Sequence, residues 1–330
     1  MKALVVGGGG YLGSHVVRGL LDRGHGAVVV DSFCSGHREL IAEPVPVFAC
    51  DAGLMVGIED VLRQQPVDAV IYCAGLADSA QALENPFPYY HNNFIAVFYL
   101  LQAMLWQNVR RFVFSTDFSV YGSEPAVPIT EKSPCHPEDP LGKSQRAVED
   151  LLADLARANG LGYTVMRVGN MAGALPSGEL GPWPRGSQRL LSMALDVAQG
   201  IREFLPVHGD GLPTADGFPV RDYVHVSDVV DAYLSALGRI PDRGGNCFLL
   251  GTGRPVSVAQ VARKVEEVTH RPVPVRVVAA PSPRPSSIYA DAGQTRQALH
   301  WSPRHDLTAI VESEWRWRLG KGSQLAGEEG

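Results

Sequence analysis

The stretch "KALVVGGGGYLGSH" (2–15) constrains this chain more than any other. A short apolar run leads into glycines at 7, 10 and 13, and an amphipathic pattern, "YLGSHVVRGLLDRG" (11–24), follows at once. A strand that turns through glycine into a helix leaves bare backbone N–H groups at the helix start, where the helix dipole favours an anion. In G-x-x-G-x-x-G spacing the expected anion is a dinucleotide pyrophosphate, approached by Gly7, Gly10, Tyr11, Leu12 and Gly13. The second apolar run ends in Asp31, followed by Ser32. A carboxylate there accepts hydrogen bonds from the adenosine ribose and repels a 2′-phosphate, so the expected cofactor is NAD rather than NADP. Asp51 and Ala52 of "CDAG" fall near the adenine, and Cys73, Ala74 and Gly75 of "CAGLA" near the pyrophosphate; either segment also reads as a plain strand end.

Further apolar runs at 27–30, 45–50, 68–73, 111–115 and 162–168 alternate with helical patterns at 93–106 and 141–158. This rhythm predicts an α/β fold, a Rossmann-type doubly wound parallel sheet. Both faces of such a sheet are covered, which is why its strands are continuously apolar rather than alternating. After Gly169 the texture changes: 173–186 and 208–222 are rich in Gly and Pro and read as loops, with helical patterns near 189–200 and 257–269. The expected organisation is an NAD-binding domain over 1–169, to which later segments return. A smaller discontinuous α/β substrate lobe follows over 170–320, then a flexible tail over 321–330.

A net charge of −6 leaves no basic surface for nucleic acid, and no apolar run reaches the ~18 residues of a membrane span. The five cysteines lie far apart with no C-x-x-C, which argues against a disulfide framework or a zinc site, so no metal is expected. The first residues run straight into a strand without the pattern of a signal peptide, and the expected location is the cytoplasm.

The landmarks "GGGGYLGSH", "VVDSFCSG", "NPFPYYHNNF", "FVFSTDFSVYG", "PLGKSQ" and "PTADGFPVRDYVHVSD" resemble the extended short-chain dehydrogenase/reductases of the NAD-dependent epimerase/dehydratase family, most closely its UDP-glucose 4-epimerase branch. The resemblance runs over about residues 2–320. It implies tightly held NAD, Asn92 and Gln145 among the cofactor contacts, a sugar-nucleotide pocket between two lobes, and a homodimer built through helices of the large domain. It also implies chemistry by transient oxidation, with a Tyr as base, a Lys four residues later, and a Ser or Thr at the end of the preceding strand.

This chain departs from that pattern. Matching "PLGKSQ" to the family motif puts Leu141 at the Tyr position and Gln145 at the Lys position, and Lys143 points away from the pocket. The Ser/Thr position falls on Asp117 counting back from "VYG", or on Thr116 counting forward from the strand. A Thr-Asp pair resembles the nucleotide-sugar dehydratases, although the usual following Glu is replaced by Phe118 and Ser119. The catalytic candidates are therefore Asp117, Thr116, Ser119 and Gln145; a strand-end Asp bonded to backbone is the alternative for Asp117. Asn93 is expected to anchor its helix backbone. On the substrate side Asn170 and Arg221 match the family's pocket residues, while Arg189 stands in Gln188-Arg189-Leu190 where the family has Asn-Asn-Leu, and Arg284 in "RPSS", all that remains of the uridine-ribose clamp; these four are the substrate-binding candidates. The expected substrate is a sugar nucleotide, sugar phosphate or nucleoside. Elimination of water is placed ahead of 4-epimerisation because Asp117 supplies an acid for the leaving hydroxyl. A nucleotide-sugar 4-epimerase and an NAD-binding protein without catalysis are the alternatives.

Overall fold

The computed structural model describes residues 1–183, 187–209, 211–278 and 285–327. The strands are β1 (Lys2–Val6), β2 (Gly26–Asp31), β3 (Val47–Ala49), β4 (Ala69–Tyr72), β5 (Arg111–Asp117), β6 (Gly162–Val168), β7 (Asn170–Ala172), β8 (Leu205–His208), β9 (Val220–His225), β10 (Gly244–Leu250), β11 (Pro255–Ser257) and β12 (Val275–Val278). The helices are α1 (Tyr11–Asp22), α2 (Met55–Gln64), α3 (Ser79–Glu84), α4 (Phe87–Tyr90), α5 (Ala96–Trp106), α6 (Pro140–Asn159), α7 (Leu190–Ala198), α8 (Val226–Leu237), α9 (Val258–Thr269), α10 (Gly293–Leu299), α11 (Leu307–Leu319) and α12 (Lys321–Gly327).

Seven strands form one sheet in the order β10-β6-β5-β4-β1-β2-β3, every neighbouring pair parallel. The order reverses between β1 and β4, the switch point at which a doubly wound sheet opens a crevice beyond its strand ends. Apolar side chains on both faces bury it: Val5, Val29 and Ile71 on one side, Leu4, Val28 and Val70 on the other. On the first face α1 and α8 pack so closely that a Cβ on Gly19 would lie 2.5 Å from Val230 Cγ1. Within the sheet, Arg167 of β6 and Glu149 of α6 form a buried two-point ion pair, with Arg167 also donating to the Tyr121 hydroxyl.

After β6 the chain builds a second core from α7, α9 and α11, where Leu191, Leu195, Val261, Val265, Ile310 and Val311 meet. It carries the three-stranded sheet β11-β9-β7 and the parallel pair β12-β8. The segment expected as a loop over 208–222 ends inside β9, so Arg221 and Asp222 sit on a strand. Asp222 is fully buried and accepts from the backbone of Thr252, Gly253 and Ala290, which ties β9 to two later loops. The expected tail is helical over Lys321–Gly327, because Leu325 is buried beside Leu40, Leu180 and Trp317.

Candidate functional site

A cleft of about 1420 Å³ lies between the strand ends of the large sheet and the second lobe. Its floor is the glycine turn. Gly7 has φ +81°, and a Cβ there would stand 2.6 Å from the Ala74 backbone nitrogen. A Cβ on Gly13 would stand 2.0 Å from the Gly7 carbonyl, so α1 seats directly on the turn. Gly13 packs α1 against the turn and is not among the residues lining the cleft. Gly10 caps α1 with no side chain, leaving the helix start open to the cleft.

Asp31 ends β2 nearly buried, and its two oxygens accept from the N–H groups of Gly9 and Phe33, each at 2.8 Å. It both braces the glycine turn and lines the cleft, as do Ser32, Asp51 and Ala52 beyond it. Asp51 accepts from Gly53 N at 2.7 Å. Cys73, Ala74 and Gly75 line the cleft at the end of β4, and burial pushes the Cys73 thiol up to about 12, which keeps it protonated. Residues 91–95 form one π-helical turn ahead of α5. In it Asn92 donates to Pro88 O at 2.8 Å and lines the cleft. Asn93 does not anchor its own helix; its amide accepts from Leu76 N and donates to Leu76 O, fixing the loop after β4.

The catalytic candidates come together. Gln145 Oε1 accepts from Thr116 Oγ1 at 2.6 Å, from Ser119 Oγ at 3.3 Å and from Asp117 N at 3.4 Å. Facing three donors with its oxygen, the amide has one satisfied orientation, and in it Nε2 donates to Asp117 Oδ2 at 3.2 Å. The other Asp117 oxygen accepts from Ser119 N at 2.7 Å. Burial raises the Asp117 pKa, and nearby Asp139 adds to the rise; the bonds from Ser119 and Gln145 work against it. Leu141, one helical turn before Gln145, also lines the cleft but packs with Ala82 and Tyr89, while Lys143 is exposed and lines none of it.

Across the cleft stand Asn170 on β7, Arg221 on β9 and Arg189 at the start of α7. The Arg189 guanidinium lies 4.5 Å above the Tyr11 ring, and the Tyr11 hydroxyl donates to Gly173 O, so large domain and second lobe meet over the glycine turn. Arg284 lies outside the described residues. Two features escaped the sequence reading. His37 and Trp183 stack face to face, 3.4 Å apart, on the cleft wall, and the buried Glu314 reaches the cleft while accepting from Ser192 Oγ at 2.7 Å. Neither pair is close in sequence, so no spacing rule points to it.

A doubly wound sheet with a tight glycine turn, a carboxylate closing β2 and a cleft at the switch point defines the class of dinucleotide-binding folds, here with an added second lobe. The chain belongs to the NAD dependent epimerase/dehydratase family, whose model matches residues 3–251. It is 38% identical over 319 residues to a UDP-glucose 4-epimerase of Azospirillum brasilense, covering 96% of this chain and 91% of that one. It is 36% identical to a UDP-glucose 4-epimerase of Streptococcus mutans, covering 96% of each. Among solved structures, the UDP-glucose 4-epimerase of Bifidobacterium longum in complex with NAD+ and UDP superposes with a TM-score of 0.92 at 29% identity, covering 97% of this chain and 98% of that one. The Stenotrophomonas maltophila enzyme, with bound NAD and formylated UDP-arabinopyranose, gives 0.92 at 33%, covering 98% and 99%.

These relatives overturn the expectation of water elimination, since proteins alike along nearly the whole chain are 4-epimerases. The local structure agrees: the residue after Asp117 is Phe118, buried in the core, so no second carboxylate stands there.

Proposed function

We propose that this chain is a nucleotide-sugar 4-epimerase that holds NAD and uses Asp117 to take and return the sugar hydroxyl proton. The observation that carries the reading is the Asp117 carboxylate at the end of β5, in the cleft, held by Gln145 and Ser119. The glycine turn would hold the pyrophosphate at the start of α1, with Asp31 and Ser32 on the adenosine side. β4, β5 and β6 lie on the other side of the switch point, which supports the reading that Asp117 and Thr116 of β5, with Gln145 bonded to them, face the nicotinamide half. The residues fit the cofactor: Gly7 and Gly13 admit no side chain, and Gly10 keeps the helix start bare. The cleft exceeds the ~300–1,000 Å³ typical of one small ligand and accommodates a nucleotide sugar as well. Arg189 and Arg221 supply positive charge for its diphosphate, and Asn170 a hydrogen-bonding amide.

Bound NAD supplies reversible hydride acceptance. Asp117, ionised, would accept the proton of the C4 hydroxyl as that carbon is oxidised, and return it after the keto sugar presents its other face. Thr116 commits its proton to Gln145, and Gln145 keeps Asp117 aimed. The large-domain helices expose Phe87, Phe98 and Trp106, which supports a homodimer through α4 and α5. Five free cysteines fit a reducing compartment such as the cytoplasm.

The test is to purify the protein, quantify bound nicotinamide, and follow UDP-glucose and UDP-galactose, with their N-acetylated forms, by proton NMR. Interconversion is expected, with Asp117→Asn lowering kcat by ~10²–10⁴-fold. Retained NAD with no interconversion of any of these sugars would refute catalysis and leave a binding protein.

A further inference from the structure

The geometry points to an internal charge balance: Asp117 is the counter-ion of the oxidised nicotinamide ring, and takes up a proton when that ring is reduced. The inference rests on the reading above in one respect, that the nicotinamide half lies over β5. On that side the described residues give Asp117 no cation. Its partners are the Ser119 N–H and the neutral amide of Gln145. Thr116 and Ser119, from the same strand end and turn, are uncharged; Gln145 bonds it from α6; Leu141, Val168 and Asn170 line the same cleft from α6, β6 and β7. The Asp139 carboxyl at the α6 cap acts on it in the direction of a raised pKa, not a lowered one. No described residue forms a salt bridge with Asp117, and Lys132 and Lys143, the lysines nearest it in sequence, are exposed and outside the cleft.

Charge then decides the chemistry. The oxidised ring carries one positive charge, and a carboxylate in a partly desolvated cleft is stabilised by it. When a sugar alcohol is oxidised, a hydride, one proton with two electrons, leaves carbon for the ring and removes the positive charge. The hydroxyl proton goes to Asp117 and removes the negative charge. The site is neutral before and after: carbinol, cationic ring and carboxylate become ketone, neutral ring and carboxylic acid. The same bookkeeping holds when electrons come from an external reductant. The ring then takes two electrons and one proton, and Asp117 takes a second proton from solvent. By linkage, the ionised carboxylate favours the oxidised cofactor, and the bound cofactor becomes harder to reduce as pH rises.

The test is a mediated redox titration of the NAD-loaded protein from about pH 5 to about pH 9, following reduced-nicotinamide absorbance. Infrared difference spectra of the same samples report the carboxylic acid. The expected result is two protons per two electrons over part of that range, with a carboxylic-acid band appearing on reduction. Asp117→Asn should show one proton throughout and no band, and Asp117→Glu should restore the second proton. One proton per two electrons at every pH in the unsubstituted protein overturns the inference while leaving the cofactor reading intact. Two protons persisting in Asp117→Asn overturns it too, since the proton then resides elsewhere. A protein that retains no NAD after loading brings down the cofactor reading and this inference with it.

Discussion

Gln145 is the residue on which the site's order depends, and Gln145→Leu isolates its contribution. Leucine has nearly the same reach but neither accepts nor donates. Thr116 Oγ1, on a side chain only 5% exposed, loses its acceptor, and Asp117 Oδ2 loses its donor. A buried polar group left unsatisfied costs about 1–3 kcal/mol, and a hydrogen bond to a charged group contributes about 1.5–3 kcal/mol. The bonds from Ser119 Oγ and Asp117 N, at 3.3 and 3.4 Å, are long and add little. Water entering from the cleft replaces part of the loss at Asp117, so the net destabilisation is about 2–4 kcal/mol. At about 2 °C per kcal/mol for a long chain, the melting temperature falls by about 4–8 °C. The electrostatic consequence has a definite sign. Removing a donor that lowers the Asp117 pKa raises that pKa further, so the acid limb of the kcat/KM profile moves to higher pH. Differential scanning fluorimetry and a pH–rate profile measure the two effects together. A variant that melts within about 1 °C of the parent and keeps the same acid limb would refute the claim that Gln145 holds Asp117.

Two further expectations concern other parts of the molecule. Gly10→Ala meets nothing closer than Gly7 O at 3.2 Å and should fold normally yet lose NAD, whereas Gly13→Ala, 2.0 Å from that same oxygen, should lose both stability and NAD; retention of NAD by both would refute the glycine-turn site. Burial holds His15 down to about 4 and His225 down to about 3, so the folded state binds fewer protons than the unfolded chain between there and about 6.5. That stability is complete above about 6.5 and is lost as pH falls, by up to roughly 3 and 5 kcal/mol at 1.36 kcal/mol per unit. Melting curves from neutral to acid pH should show the fall, and a flatter profile is expected for His225→Gln.

Much of the large domain was legible because its physics is local. The runs at 2–6 and 162–168 coincide with β1 and β6, and the pattern at 141–158 differs from α6 by one residue at each end. What the sequence hid is where burial departs from hydrophobic periodicity. In α11 the inward face carries Ser313, Glu314 and Arg318, satisfied by partners far away: Arg318 pairs with Asp196, and Glu314 accepts from Ser192. A helix whose polar residues face inward has no apolar stripe to read. Helix α8 fails for the opposite reason, being buried on most of its circumference between α1 and the sheet. Within the site, the resemblance to the family motif singled out Asp117 and Gln145, but only the folded chain brings the amide onto the carboxylate across 28 residues of sequence.

That contact also explains why Asp117 and Gln145 belong together. A lysine at 145 would point an ammonium at the Asp117 carboxylate, lower its pKa and fix it as an anion. It would also present only donors to the backbone N–H of Asp117, which cannot accept. Gln145 removes both conflicts. Its oxygen takes the donors of Thr116, Ser119 and Asp117 N, and its nitrogen gives the carboxylate a neutral partner. With no fixed cation beside it among the described residues, Asp117 would, in the proposed reaction, be free to change protonation state as the charge facing it changes. A tyrosine at 141 would depend on a nearby cation to ionise near neutral pH, and Leu141 instead closes the apolar wall with Ala82 and Tyr89. The three positions thus form one self-consistent arrangement, in which, on the proposed function, proton exchange falls at the end of a strand rather than on a helix.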